Sequence, residues 1–216
     1  MAILTYADLK TAIANFSDRS DLTDRIPEFI TLAETRIFFG SEEPPFQSDP
    51  LRIRAMEVDA AATFDAQSVS LPTAYLQMRR LFVTGDNGGR LTMISPDTFW
   101  DRYERTNSGI PREFTLEGGS LLLGPTPDAA YTGRMLYYSR PAVLDTDDDT
   151  NWILENAPGA YLWGALIELA AYIFDADKMA GAHAKFVGII NALNKADKAD
   201  RWSGSPWVGQ TDTGNP

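Results

Sequence analysis

The chain has 216 residues, no cysteine, a single histidine and a formal net charge of −11. That length suits one domain, or one domain with a sizeable insertion, and the hydrophobic (44%) and charged (23%) fractions are those of an ordinary globular protein. Lack of cysteine excludes disulfides, zinc–thiolate sites and cysteine nucleophiles, and the acidic balance argues against a protein that grips nucleic acid through Lys and Arg.

Thr5-Tyr6-Ala7-Asp8 resembles a capping box with Asp in place of Glu, and Leu9, Ile13 and Phe16 then recur at helical spacing. Ser17 to Asp21 reads as a polar break. A second helix is predicted over about Asp24 to Phe39, with Ile26, Phe29, Ile30, Ala33 and Ile37 on one face and Pro27 in its first turn. Gly40 to Pro50, with Pro44, Pro45 and Pro50, cannot continue that helix and reads as a loop or linker.

Beyond it the period changes to two. Met56, Val58, Ala60, Ala62 and Phe64 predict a strand with one buried face. Val69 and Leu71 form a short second strand, and Leu76 to Val83 a third. Asp86-Asn87-Gly88-Gly89 is a turn signal before a strand over Leu91 to Ile94. Ser95-Pro96 opens a short helix carrying Phe99, Trp100 and Tyr103. Phe114 and Leu116, the turn Glu117-Gly118-Gly119, and Leu121 to Leu123 read as a hairpin. Tyr131, Gly133, Met135 and Tyr137 alternate as the last strand.

Asp145 to Asn151 is an acidic linker. Helical signal returns at Trp152, and a long helix starts near Pro158, with Asn156 as its expected cap. Tyr161, Leu162, Ala165, Leu166, Leu169, Ala170 and Ile173 form its apolar face, while Gly164 and Ala165 admit a close helix neighbour. After Asp175 to Asp177 a last helix runs to about Asp200, burying Met179, Phe186, Ile189, Ile190 and Leu193. Arg201 to Pro216 reads as an extended tail that nonetheless holds Trp202 and Trp207, each of which needs a surface to cover it.

The expected fold is therefore α+β, mainly α. Residues 1–40 and 152–200 form a helical bundle, 41–51 a loop, 52–144 a β-rich insertion with one short helix, 145–151 the linker and 201–216 the tail. No basic region precedes an apolar run at the N-terminus. The longest apolar stretch, Ala157 to Phe174, carries Glu168 and is shorter than the ~20 residues of a membrane span, so no membrane role is expected.

Chemistry is sparse. His183 lies inside the last helix with no nucleophile signature such as GxSxG elsewhere. Asp145-Thr146-Asp147-Asp148-Asp149-Thr150-Asn151 imitates the start of a calcium loop, but Thr150 stands where Gly is required and Asn156 where Glu is required, so helix capping is the expected use. Glu42 and Glu43 read as solvated loop charge, and the glycines at 85–89 and 118–119 as turns rather than phosphate cradles. Arg52, Arg54, Arg79, Arg80, Arg102, Arg105, Arg112, Arg134 and Arg140 crowd the β-rich region, where salt bridges and protein contacts are preferred over nucleic acid. No catalytic, metal or cofactor site is expected. The alternatives are a small hydrolase or metal-dependent enzyme using loop 145–151, and a carbohydrate- or protein-binding β module flanked by helices.

Thr5-Tyr6-Ala7-Asp8-Leu9-Lys10, Asp21 to Ile30, Ala33 to Ile37, Asn151-Trp152-Ile153-Leu154, Ala157-Pro158, Tyr161 to Leu166 and Arg201-Trp202-Ser203-Gly204-Ser205-Pro206 occur in that order. The combination resembles the head-to-tail adaptor (connector) proteins of tailed bacteriophages. The resemblance implies a structural virion protein, made in the host cytoplasm and placed at the head–tail interface. It implies a homo-oligomeric, dodecameric ring between the portal protein and the tail or nozzle proteins. The ring seals the vertex and passes DNA through its channel without specific binding, for which an acidic wall is suited. It also implies a C-terminal segment that clasps the portal, here Arg201, Trp202, Ser205, Pro206 and Trp207. The stretch Phe38 to Pro50 is longer than the tight connection expected of the family and suggests an added loop contacting a neighbour or the tail.

Overall fold

The computed structural model describes residues 2–85, 88–104 and 107–202, without the side chain of Trp202. The fold is α+β, with 45% helix and 24% strand, so helix dominates as expected. The chain divides into two compact units, one ending at Ile53 and resuming at Asn156, the other running from Arg54 to Glu155. The inserted unit therefore takes in the 145–151 segment and most of the short helix after it.

The helical unit begins with α1, Tyr6–Ser17. Its capping box is formed: Thr5 Oγ1 accepts from Asp8 N–H, and Asp8 Oδ2 accepts from Thr5 N–H, both at 3.3 Å. The polar break is a 3₁₀ turn over Ser20–Arg25 that buries Leu22, so α2 starts at Ile26, two residues later than expected, and ends at Phe39. Thr23 and Arg19 satisfy this turn locally, through Ser20 O and the Asp21 carboxylate, which is why helical propensity near Asp24 loses to it. Pro27 lies in the first turn of α2, as predicted.

The centre of this unit is α5, Pro158–Tyr172, against which α1, α2 and α6 all pack. Its apolar residues surround the axis, and Tyr161, Ala165 and Ile167 are fully buried. A Cβ on Gly164 would lie 2.9 Å from Ala33 Cβ, so glycine sets the close approach of α2 and α5 that the sequence suggested. Glu168, the one charge in this apolar run, is neutralised by Arg36 of α2, whose Nε and Nη2 both donate to Glu168 Oε1, at 3.0 and 2.8 Å. Asn156 does not cap α5. It closes the preceding short helix α4 (Trp152–Asn156), and the N-cap of α5 is Ala157, without a side-chain hydrogen bond. The last helix, α6, spans Ala176–Trp202, with the Asp175 carboxylate accepting from Lys178 N–H at its start. Phe186 and Ile190 are its buried stripe, flanked by half-buried Met179, Ile189 and Leu193.

In the inserted unit, β1 (Glu57–Phe64), β8 (Tyr131–Ser139), β3 (Tyr75–Val83) and β4 (Gly89–Arg90) form one sheet in the order β1-β8-β3-β4. A second sheet runs β2-β7-β6-β5, from Ser68–Ser70, Ser120–Gly124, Glu113–Glu117 and Thr92–Met93. The predicted strand at Leu91–Ile94 is therefore not one strand. Arg90 pairs with Phe82 in the first sheet, Thr92 pairs in parallel with Glu113 in the second, and buried Leu91 marks the crossing. Asp86 and Asn87 of the expected turn lie outside the described residues.

The β6–β7 hairpin turns through Gly118 and Gly119 at φ +57° and +77°, the left-handed pair that a tight hairpin requires. Between the sheets sit Phe64, Leu81, Leu91, Phe114, Leu121, Leu123 and Met135. Val58, expected on the inward face, is 37% exposed at the start of β1, whereas Phe64 at the other end of the same strand is fully buried in the core. Helix α3, Pro96–Tyr103, starts as predicted: Ser95 Oγ accepts from Thr98 N–H at 3.2 Å, and Phe99 is buried.

Candidate functional site

His183 and the acidic segment 145–151, which the sequence singled out for possible chemistry, make structural contacts. His183 Nε2 donates to Gln47 O at 3.0 Å and its ring meets Phe46 edge-on at 5.3 Å, so it fastens the 41–50 loop to α6. In the acidic segment, Asp149 Oδ2 accepts from the N–H groups of Asp145 and Thr146 at 2.8 and 2.6 Å. These bonds hold the Asp149 carboxyl below its ordinary pKa, the Thr146 amide contributing most. Asn151 accepts from Leu154 N–H at 3.0 Å and donates to Ala142 O at 2.9 Å, capping α4 and closing the segment. The expectation that this stretch caps the following helix is met through Asn151. Among the described residues, no group of three or more His, Cys, Asp or Glu is placed to hold a metal ion. No described helix is long and apolar enough to cross a membrane.

The arginines of the β-rich unit divide into two sets. Arg79 pairs with Glu57 at 2.6 Å and stacks over Tyr138, Arg134 pairs with Asp59, and Arg102 pairs with Glu113, which also accepts from Tyr103 Oη at 2.9 Å. These are the salt bridges the sequence suggested. Arg80, Arg90, Arg112 and Arg140 are exposed and have no ion-pair partner among the described residues. Arg105 lies outside them.

Large apolar side chains face solvent on the helical unit. Phe174 is 95% exposed and Phe16 and Phe39 are each 60% exposed. Phe16 meets Trp163 edge-on at 5.7 Å on the rim of a groove of about 300 Å³ between α1, α5 and α6. Isolated exposed apolar residues are ordinary, and each of these aromatics lies on the helical unit.

Two residues expected in the tail are helical. Arg201 and Trp202 belong to α6, and Arg201 Nε donates to Asp197 Oδ2 at 2.6 Å along the same helix. Ser205, Pro206 and Trp207 lie outside the described residues. From Asn191 onward no described residue of α6 is buried. That stretch is tied down by Asn194, whose Oδ1 accepts from Arg52 N–H at 3.0 Å and whose Nδ2 donates to Pro50 O at 3.2 Å. Sequence periodicity gives no sign of this clasp, because a lone Asn on a polar helix face leaves no pattern. It gives none of the closure of the 41–50 loop either.

The described surface thus carries ion pairs, unpaired arginines, exposed aromatics and closed loops. Comparison with curated proteins finds no match. A family model described as SU10 adaptor protein matches residues 4–210, from the start of α1 into the tail. The chain belongs to the SU10 adaptor protein family, which makes it a phage head–tail adaptor.

Proposed function

We propose that the protein is a structural subunit of a dodecameric ring seated between the portal and the tail. In this reading the ring seals the vertex after packaging and lets DNA pass through an acidic channel. The observation that carries it is the family match over residues 4–210. The physical features agree: a net charge of −11 disfavours adhesion to passing DNA, and exposed aromatics suit a subunit whose surface is mostly interface. The portal-facing element is the end of α6 together with the tail, through Arg201, Trp202, Ser205, Pro206 and Trp207. Arg201 is already engaged with Asp197, so it positions the segment, and the tryptophans act as the anchors.

The test is co-assembly with the phage's portal protein, imaged by negative stain. Full-length chain is expected to cap the portal as a ring, and a chain ending at Trp202 is expected to fold without doing so. An unchanged complex after truncation would refute the clasp.

A further inference from the structure

Two features of this chain, one on each unit, have complementary chemistry. The first is a hollow of about 500 Å³ on the β-rich unit, lined by Arg80 and Arg90 together with Met78, Met93 and Phe114. Arg80 and Phe82 alternate on β3, and Arg90 pairs directly across from Phe82 on β4. The two guanidiniums therefore stand on one face as diagonal neighbours, about 7–8 Å apart at the backbone. Arg79, also in the lining, is engaged by Glu57, whereas Arg80 and Arg90 have no ion-pair partner among the described residues. Two arginines without an ion pair among the described residues, beside exposed Met93 and half-buried Met78, form an unusual patch on a chain of charge −11. They fit a ligand that is acidic and apolar at once.

The second feature is the tip of the 41–50 loop. Ser41 and Ser48 exchange N–H···O bonds at 2.9 and 2.8 Å, and Phe46 N–H closes the tip onto Glu43 O at 2.8 Å. From beneath, Arg36 Nη1 donates to Phe46 O at 3.4 Å and His183 holds Gln47 O. What these bonds leave exposed is Glu42, Glu43, Pro44 and Pro45. A fixed tip with two carboxylates and two prolines loses little conformational entropy on docking.

We propose that the Glu42–Pro45 tip of one copy docks into the Arg80/Arg90 hollow of the next. Two carboxylates meet two guanidiniums, and the prolines meet the methionines. The contact joins different surfaces of identical chains, so it repeats head to tail and closes a ring when the rotation allows. It rests on the ring reading and supplies its lateral joint. Nucleic acid is the poorer occupant, because two arginines beside the Arg134–Asp59 and Arg79–Glu57 pairs do not make a phosphate track.

The natural absence of cysteine permits a clean test. Full-length Glu43→Cys and Arg90→Cys chains are mixed and treated with a short bis-maleimide. Covalent dimers are expected in the mixture and not in either variant alone. Separately, Glu42→Arg/Glu43→Arg and Arg80→Glu/Arg90→Glu are each expected to weaken self-association about tenfold or more in sedimentation velocity, and the four-fold charge swap to restore it. Dimers no more abundant in the mixture than in the controls, or a swap that fails to restore assembly, would overturn the joint. So would DNA retardation in a gel that Arg80→Glu/Arg90→Glu abolishes. If the unmodified chain forms rings while these tests fail, the joint is wrong and the ring reading stands. If it stays monomeric throughout, the joint falls, and portal co-assembly judges the adaptor reading independently.

Discussion

Arg36 and Glu168 show how one side chain decides the use of another. An acidic residue in the middle of an apolar helix interrupts what would otherwise be a uniformly apolar stretch, and sequence periodicity offers no partner for it. The partner sits 132 residues away, with both side chains under a fifth exposed. Replacing Arg36 by Met strands a mostly buried carboxylate, with an expected cost of about 2–4 kcal/mol. Replacing both, Arg36→Met with Glu168→Leu, is expected to recover most of that in chemical denaturation. Asn194→Ala removes two hydrogen bonds to the backbone of residues 50–52, with an expected loss of about 1–2 kcal/mol by the same measurement. Such long-range polar partners are the part of the site that the sequence hid. His183 could be read only as a surface or packed residue, and its hold on Gln47 required the fold.

At the scale of elements, caps, glycine turns and apolar stripes were legible because they depend on near neighbours in sequence. The capping box at Thr5, the Ser95 cap, the Gly118-Gly119 turn and the small residue at Gly164 all serve as predicted. What failed depended on competition between structures. The 3₁₀ turn took Asp24 from α2, a sheet crossing divided Leu91–Ile94, and α4 claimed Asn156 before it could cap α5. Enlarging Gly164 tests the closest helix contact: Gly164→Leu pushes α5 off Ala33 and is expected to cost about 1–3 kcal/mol, read as a lowered Tm.

Asp149 gives a pH prediction. The loop amides hold its pKa below the ordinary aspartate value, so its ordering effect is complete above that ordinary value and is lost as pH falls through the lowered one. The amide resonances of Asp145 and Thr146 should shift together in acid, and an Asp149→Ala chain should show the displaced positions already at neutral pH.

For the molecule as a whole, composition excluded more than it assigned. Missing cysteine, a single histidine and a strong negative charge removed most chemistries, while the ordered pieces from Thr5 to Pro206 pointed to an adaptor. The family match covers the same span. The structure adds a helical unit with exposed aromatics, an inserted β-rich unit with an arginine hollow, and a last helix that continues to Trp202 before the segment assigned to the portal. The tail's chemistry was visible as two tryptophans among Gly, Ser and Pro. The helical state of Arg201 and Trp202 was not, because the Arg201–Asp197 pair carries α6 past a composition change that looked like its end.

The most direct measurement is electron microscopy of the portal mixed with the full-length chain and with the chain ending at Trp202. A ring on the portal is expected with the former, and a bare portal beside folded, unbound protein with the latter. A bare portal with the full-length chain would contradict the adaptor ring and its clasp together.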